Sequence, residues 1–148
     1  MIIELGKEKD IDNWMCLVDK VKGDFPGLES PVNLAEHRET VLRFMYMDSA
    51  ICTKINNRIV GTLLFSKEDH MICFLAVDEE YRRNHIAEKM LSYMLTFMDS
   101  EKEIVVTTYR AGVPKGIAAR AFYKKNGFVE SKLTEQFGSP VQEFVLKR

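Results

Sequence analysis

The sequence predicts an α/β protein: one mixed sheet of antiparallel and parallel strands, flanked by about four helices. Three observations carry that prediction. The apolar run Met71–Val77 (MICFLAV) is bounded by charge on both sides, with Lys67 and Asp69 before it and Asp78 and Glu80 after it, and reads as a buried strand. From Ile86 onward, apolar residues recur at Ile86, Met90, Met94 and Met98, with Ala87, Leu91, Leu95 and Phe97 beside them. Glu88, Lys89, Ser92, Tyr93 and Thr96 take the other side, which describes a helix lying on a sheet. The β-branched run Ile104–Tyr109 follows as a second strand. A full helix between two strands makes them parallel through a right-handed crossover. Their carboxyl ends then share one edge, where ligands of open α/β sheets bind.

The remaining elements follow in chain order. Residues 1–5 suit a first edge strand. Asp10 or Asp12 then caps a helix that carries Ile11, Trp14, Met15, Val18 and Val21 on one face. Phe25-Pro26-Gly27-Leu28 and Ser30-Pro31 interrupt the pattern before a second helix over residues 34–47, anchored by Val41, Leu42, Phe44 and Met45. Ala50–Ile55 and residues 59–66 are β-rich, and Asn56-Asn57 between them tolerates the positive φ of a tight hairpin turn. After residues 104–109, Gly112, Pro114 and Gly116 mark a loop. A helix over the AARAFYKKN segment ends at Asn126-Gly127, a left-handed stop. On that helix Ala118, Ala121 and Phe122 are expected to form the packed face, leaving Tyr123, about 100° further round, to enter a cleft. Residues 128–133 and 141–146 close the chain as a strand pair separated by Gly138-Ser139-Pro140.

The bulk composition narrows the function classes. A chain of 148 residues suits one domain, 1–148, which at this size buries roughly 68–70% of its unfolded surface without disulfides. A net charge of -1 gives no long-range attraction to nucleic acid or anionic membrane. Cys16, Cys52 and Cys73 lack metal-ligand spacing and lie in apolar contexts, so reduced, buried thiols in a cytoplasmic protein are expected, with no metal. Met1-Ile2-Ile3 meets Glu4 and Lys7 at once, unlike a signal peptide, and no apolar run approaches the ~18 residues of a membrane span.

Between the central strand and its helix lies Tyr81-Arg82-Arg83-Asn84-His85. This turn puts two guanidinium groups beside the unpaired amides and positive dipole end of a helix N-terminus, a place that binds phosphate. Here the sequence resembles the GNAT superfamily of acyl-CoA-dependent N-acyltransferases. The family signature is Gln/Arg, two residues, Gly, one residue, Gly/Ala; Arg82, His85 and Ala87 occupy those places, with His85 where glycine is usual. AARAFYKKNGF, residues 118–128, resembles the family's closing helix. The resemblance covers about the last half of the chain. It implies that Leu75-Ala76-Val77 contacts the pantetheine arm of acetyl-CoA and that Arg82, Arg83, Asn84, His85, Ile86, Ala87 and Glu88 hold its phosphates. It also implies an N-acetyltransferase acting on a primary amine, as a small molecule or a peptide amino group, and allows a homodimer.

Three roles remain to be assigned among the residues. Tyr123 is the candidate acid for the departing thiolate; its reference pKa of ~10 lies ~1.5 above a thiol's, so complete proton donation is uphill by roughly 2 kcal/mol. An amide near Ala76 or Val77 is the candidate oxyanion donor if the strand is bulged or splayed. The base is open: the central strand carries no carboxylate, and His70, Glu68, Glu135 and Glu143 are unranked candidates beside a water relay. Lys124 and Lys125 would add positive potential near the nucleotide or simply face solvent. His85 either takes helical dihedrals with its ring outward or weakens coenzyme binding. Two rival readings are a non-catalytic acyl-CoA sensor and a binding domain for another nucleotide.

Overall fold

The computed structural model covers Met1–Arg148. Its elements are β1 (Ile2–Leu5), α1 (Ile11–Val21), α2 (Pro31–Tyr46), β2 (Ala50–Ile55), β3 (Arg58–Ser66) and β4 (Met71–Val77). They continue with α3 (Ile86–Leu95), β5 (Ile104–Tyr109), α4 (Ile117–Lys125), β6 (Phe128–Gln136) and β7 (Ser139–Leu146). All strands join one seven-stranded sheet in the order β1-β2-β3-β4-β5-β7-β6. Every neighbouring pair is antiparallel except β4 and β5, which are parallel as the crossover predicts.

Helices cover both faces. On one, α1 and α2 bury Trp14, Val18, Val41 and Met45 against Ala50, Cys52, Leu64 and Ala76. On the other, α3 and α4 bury Ile86, Met90, Met94 and Tyr123 against Ile51, Leu63, Phe65 and Phe144. The core therefore has two layers divided by the sheet, and each layer needs the alternate side chains of β2 and β3, which are buried almost throughout.

The parallel pair is barely a pair. β4 and β5 register at Met71 against Val105 alone, where the Val105 amide donates to His70 O at 2.9 Å. Beyond that point the strands splay. On its other side β4 pairs with β3 along its length, but Leu64 faces Phe74 while Phe65 faces Ile72, so Cys73 is an extra residue and β4 is bulged there. The bulge changes the facing of the strand: Ile72 packs in the α3 layer, whereas Phe74 and Ala76 pack in the α1–α2 layer.

Several boundaries differ from those read in the sequence. α2 begins earlier, at Pro31, because Ser30 Oγ accepts from the Asn33 amide and proline suits the first helical turn. α3 stops at Leu95, not Met98. Asp10 precedes α1 without capping it through its side chain, since its carboxylate accepts from the Lys7 amide and Lys54 Nζ instead. The last two strands are longer than expected and meet at a two-residue turn, Phe137-Gly138, and β7 inserts between β5 and β6. Asn56 and Asn57 do take positive φ, 52° and 62°. Of the cysteines only Cys52 is buried; Cys16 and Cys73 are exposed.

Gly61 of β3 lies beneath the first turn of α3, where an added Cβ would stand 2.8 Å from Ile86 Cγ2 and 3.0 Å from Met90 Cε. Gly61→Ala should therefore destabilise the fold by about 1–3 kcal/mol, read from denaturant unfolding. Unchanged stability would mean that α3 is not seated as described.

Candidate active site

The splay of β4 from β5 leaves backbone groups without strand partners. Just past β4, the Asp78 amide donates to Val60 O at 2.8 Å, which sets the hydrogen-bonding phase of the β3–β4 ladder. By alternation the Phe74 and Ala76 amides face β3, and those of Leu75 and Val77 face the gap toward β5. Of the expected Leu75-Ala76-Val77 contact, the Ala76 backbone is thus committed to the sheet, and the Leu75 and Val77 amides are free. Val105, Thr107 and Tyr109 present the facing edge of β5 by the same alternation.

At the carboxyl end of β4 the chain turns through residues 79–85 into α3. The first backbone bond of the helix runs from the Lys89 amide to His85 O at 3.0 Å, and the amides from Arg83 to Glu88 have no acceptor in the chain. Arg83 and His85 have φ of 72° and 58°, in the left-handed region. A left-handed residue followed by a right-handed one, as at His85 and Ile86, aims successive amides into one concavity, the geometry that cradles anions. The Asn84 side chain donates to Tyr81 O at 2.9 Å and holds the turn.

His85 does not take helical dihedrals. It adopts the conformation in which the family signature usually has glycine, and its ring lies against α3, with Nδ1 3.1 Å from Glu88 Oε2. The imidazole is largely solvent-exposed. Glu88 also pairs with Lys125 Nζ at 3.1 Å, so α4 is tied to the start of α3. The hydrogen bonds from Lys125 and His85 hold the Glu88 carboxyl below its usual range. Lys124 pairs with Glu130 instead.

Both edges and the turn line one cleft of about 1250 Å³. That exceeds the ~300–1,000 Å³ usual for a single small ligand, leaving room for two reactants. Leu75, Ala76, Val77, Arg82, Arg83, His85, Ile86, Ala87, Glu88 and Tyr123 all line it; the Asn84 side chain does not. Tyr123 projects from α4 among Phe122, Phe128 and Phe144, at ring separations of 5.4, 5.3 and 6.0 Å. Burial pushes its phenol well above the usual tyrosine range, so it stays protonated at pH 7, and its hydroxyl has no hydrogen-bond partner in the chain.

The packed face of α4 matches the expected one only at Phe122, which packs against the core. Ala118 and Ala121 are exposed, while Arg120 and Tyr123, three apart, are buried together. Arg120 donates to Tyr109 O at 2.9 Å, Gln142 Oε1 at 2.7 Å and Glu130 Oε1 at 2.7 Å, and lies over the Phe144 ring. It fixes α4, and hence Tyr123, to the end of β5 and to the last two strands. The sequence signal for it was available: an arginine one turn before the tyrosine, in a helix otherwise short of large apolar residues.

The other half of the cleft lies under the loop between α1 and α2. Tyr109 Oη donates to Asp24 O at 2.6 Å and Lys115 Nζ to Gly23 O at 2.7 Å, tying that loop to β5 and the segment after it. Phe25 and His37 pack on Phe74 of β4, at ring separations of 4.5 and 4.8 Å. His37, on α2, was not singled out in the sequence. Its Nε2 is buried without a partner, and burial lowers its pKa, so it is neutral at pH 7. His70 lies at the opposite end of β4, and neither it nor Glu68, Glu135 or Glu143 lines the cleft. Cys73 does, and desolvation pushes its thiol up to about 11, which leaves it protonated.

The family model for the acetyltransferase (GNAT) domain matches residues 48–130. The chain belongs to the GNAT acetyltransferase family. Among solved structures, a GNAT-family acetyltransferase from Bacillus cereus ATCC 10987 is 20% identical, with a TM-score of 0.75 over 99% of this chain and 96% of that one. The PaiA N-acetyltransferase from Thermoplasma acidophilum, solved with coenzyme A, is 16% identical at a TM-score of 0.73, covering 99% and 98%. The ribosomal-protein-alanine N-acetyltransferase from Brucella melitensis is 16% identical at 0.74, covering 100% of both. At these identities the likeness shows the shared fold. No curated protein sequence matches the chain significantly. No helix is long and apolar enough to cross a membrane.

The His85 backbone yields a test. His85→Gly should leave stability within about 1 kcal/mol, because relief of the left-handed strain, ~1–2 kcal/mol, is partly offset by unfolded-state entropy, ~0.4–1 kcal/mol. His85→Val, β-branched at positive φ, should lose stability and weaken acetyl-CoA binding more than tenfold by calorimetry. Wild-type binding in the valine variant would show that this conformation is not needed.

Proposed function

We propose that the protein is an acetyl-CoA-dependent N-acetyltransferase acting on a primary amine. The observation that carries this reading is the run of unpartnered amides from Arg83 to Glu88, continuous with the free edge of a splayed β4. Pyrophosphate suits the former, because several N–H donors and a helix dipole converge where Arg82 and Arg83 add charge. An amide-bearing arm suits the latter, since Leu75 and Val77 can pair with it as a strand would. The unpaired amides and the open edge of β4 are donors of the kind that a diphosphate and an amide-bearing arm require.

Acetyl-CoA supplies the acetyl group as a thioester. Free β4 amides next to the Cys73 bulge offer a donor to the carbonyl oxygen as it gains charge. Tyr123, protonated and without a hydrogen-bond partner in the chain, donates to the sulfur as the carbon–sulfur bond breaks and the carbon–nitrogen bond forms. Its raised pKa opposes complete proton transfer in the resting state, so its contribution is a hydrogen bond until the thiolate develops. Proton removal from the amine falls to His37, the neutral imidazole of the cleft, directly or through water.

The assay is thiol release from acetyl-CoA against a panel of amines. Amine-dependent release is expected, and Tyr123→Phe should lower turnover by about 10²–10⁴-fold while acetyl-CoA binding stays nearly unchanged. Tight coenzyme binding with no release on any amine would instead support a sensor. Wild-type turnover in the phenylalanine variant would remove Tyr123 from the mechanism.

A further inference from the structure

The turn joining β6 to β7 breaks a local rule. Phe137 and Gly138 both have positive φ, 53° and 74°, the signature of a two-residue hairpin turn whose first position favours asparagine, aspartate or glycine. A phenylalanine there is strained, and it is also 80% exposed. Neither folding nor solubility explains it. Such conflicts between local preference and structure gather at functional sites.

The ring has a location that does explain it. Phe137 lines the cleft, packing close to Gly27 in the loop between α1 and α2. Beneath that loop, Phe25 and His37 pack on Phe74, and all three retain partial exposure. The acceptor half of the cleft is therefore walled by flat rings carried on four separate segments. Charges of both signs line this half, Asp24 and Glu36 beside Arg43 and Lys115, so the rings rather than net charge distinguish it.

We infer that the acceptor is a small amine bearing an aromatic ring, with Phe137 as the specificity-determining residue that covers that ring. This rests on the transferase reading above and names its substrate class. The ring packs among Phe25, Phe74 and Phe137, and the amine end points toward the gap between β4 and β5. Phe137 touches the acceptor's side group and takes no part in bond making.

The test compares 2-phenylethylamine with ethylamine and with an alanine-leading peptide, each with acetyl-CoA. Burial of one phenyl group predicts kcat/KM about 30-fold higher for 2-phenylethylamine than for ethylamine. Phe137→Asn, which suits the turn better, should leave the melting temperature unchanged or higher and the KM for acetyl-CoA unchanged. It should erode the aromatic preference about tenfold. Equal or better use of ethylamine or the peptide would overturn the inference and leave the transferase reading standing. So would an aromatic preference unaltered in Phe137→Asn. Acetyl-CoA binding without thiol release for any amine would overturn the transferase reading, and the acceptor class with it.

Discussion

The structure depends on one missing interaction, the hydrogen-bonded ladder between β4 and β5. Two parallel strands joined by a helix ordinarily pair along their length, yet here the pairing ends at the register Met71–Val105. What replaces it is a wedge whose two sides carry alternate unsatisfied amides and carbonyls. Left buried, each would cost about 1–3 kcal/mol, so the wedge has to stay open to solvent or to a ligand with matching groups. The rest of the fold supplies the compensation. β4 is held firmly by β3, and β5 by β7, so the sheet can lose its central ladder without losing its continuity. Arg120 reinforces the β5 side by joining α4 to Tyr109, Gln142 and Glu130.

The same economy places the turn into α3. With Arg83 and His85 in the left-handed region, the turn carries its unpaired amides on the backbone itself, independent of the side chains. His85 takes the left-handed conformation without being glycine, and its ring pairs with Glu88 of the same helix. Phe137 pays for an equivalent strain at the other end of the cleft. Arg83, His85 and Phe137 are the non-glycine residues at positive φ that line the cleft; Asp48, Asn56, Asn57 and His70 lie outside it.

Much of the fold was legible in the sequence because periodicity reports burial. Met71–Val77 and Ile104–Tyr109 were bounded correctly since their apolar runs meet charge or glycine at both ends. The Asn56-Asn57 turn was legible from the tolerance of asparagine for positive φ. The geometry of the candidate site was legible where it is built from contiguous chain, as in the turn before α3, whose unpaired amides follow from its place at a helix N-terminus. It was not legible where contacts are long-range. His37 reaches the cleft only because α2 crosses the sheet above Phe74, and no local pattern distinguishes it from a surface histidine. Arg120 was overlooked because small alanines suggested a packed face, whereas a buried guanidinium with three acceptors fills that space. The β4 bulge likewise leaves no mark in composition, and it decides which amides face the gap.

Amide hydrogen exchange with and without acetyl-CoA tests this account most directly. Bound coenzyme should slow exchange at Leu75 and Val77 and through the amides from Arg83 to Glu88, while Ala76, already turned toward β3, changes little. Protection confined to other parts of the sheet, or an equal response to ATP, would contradict it.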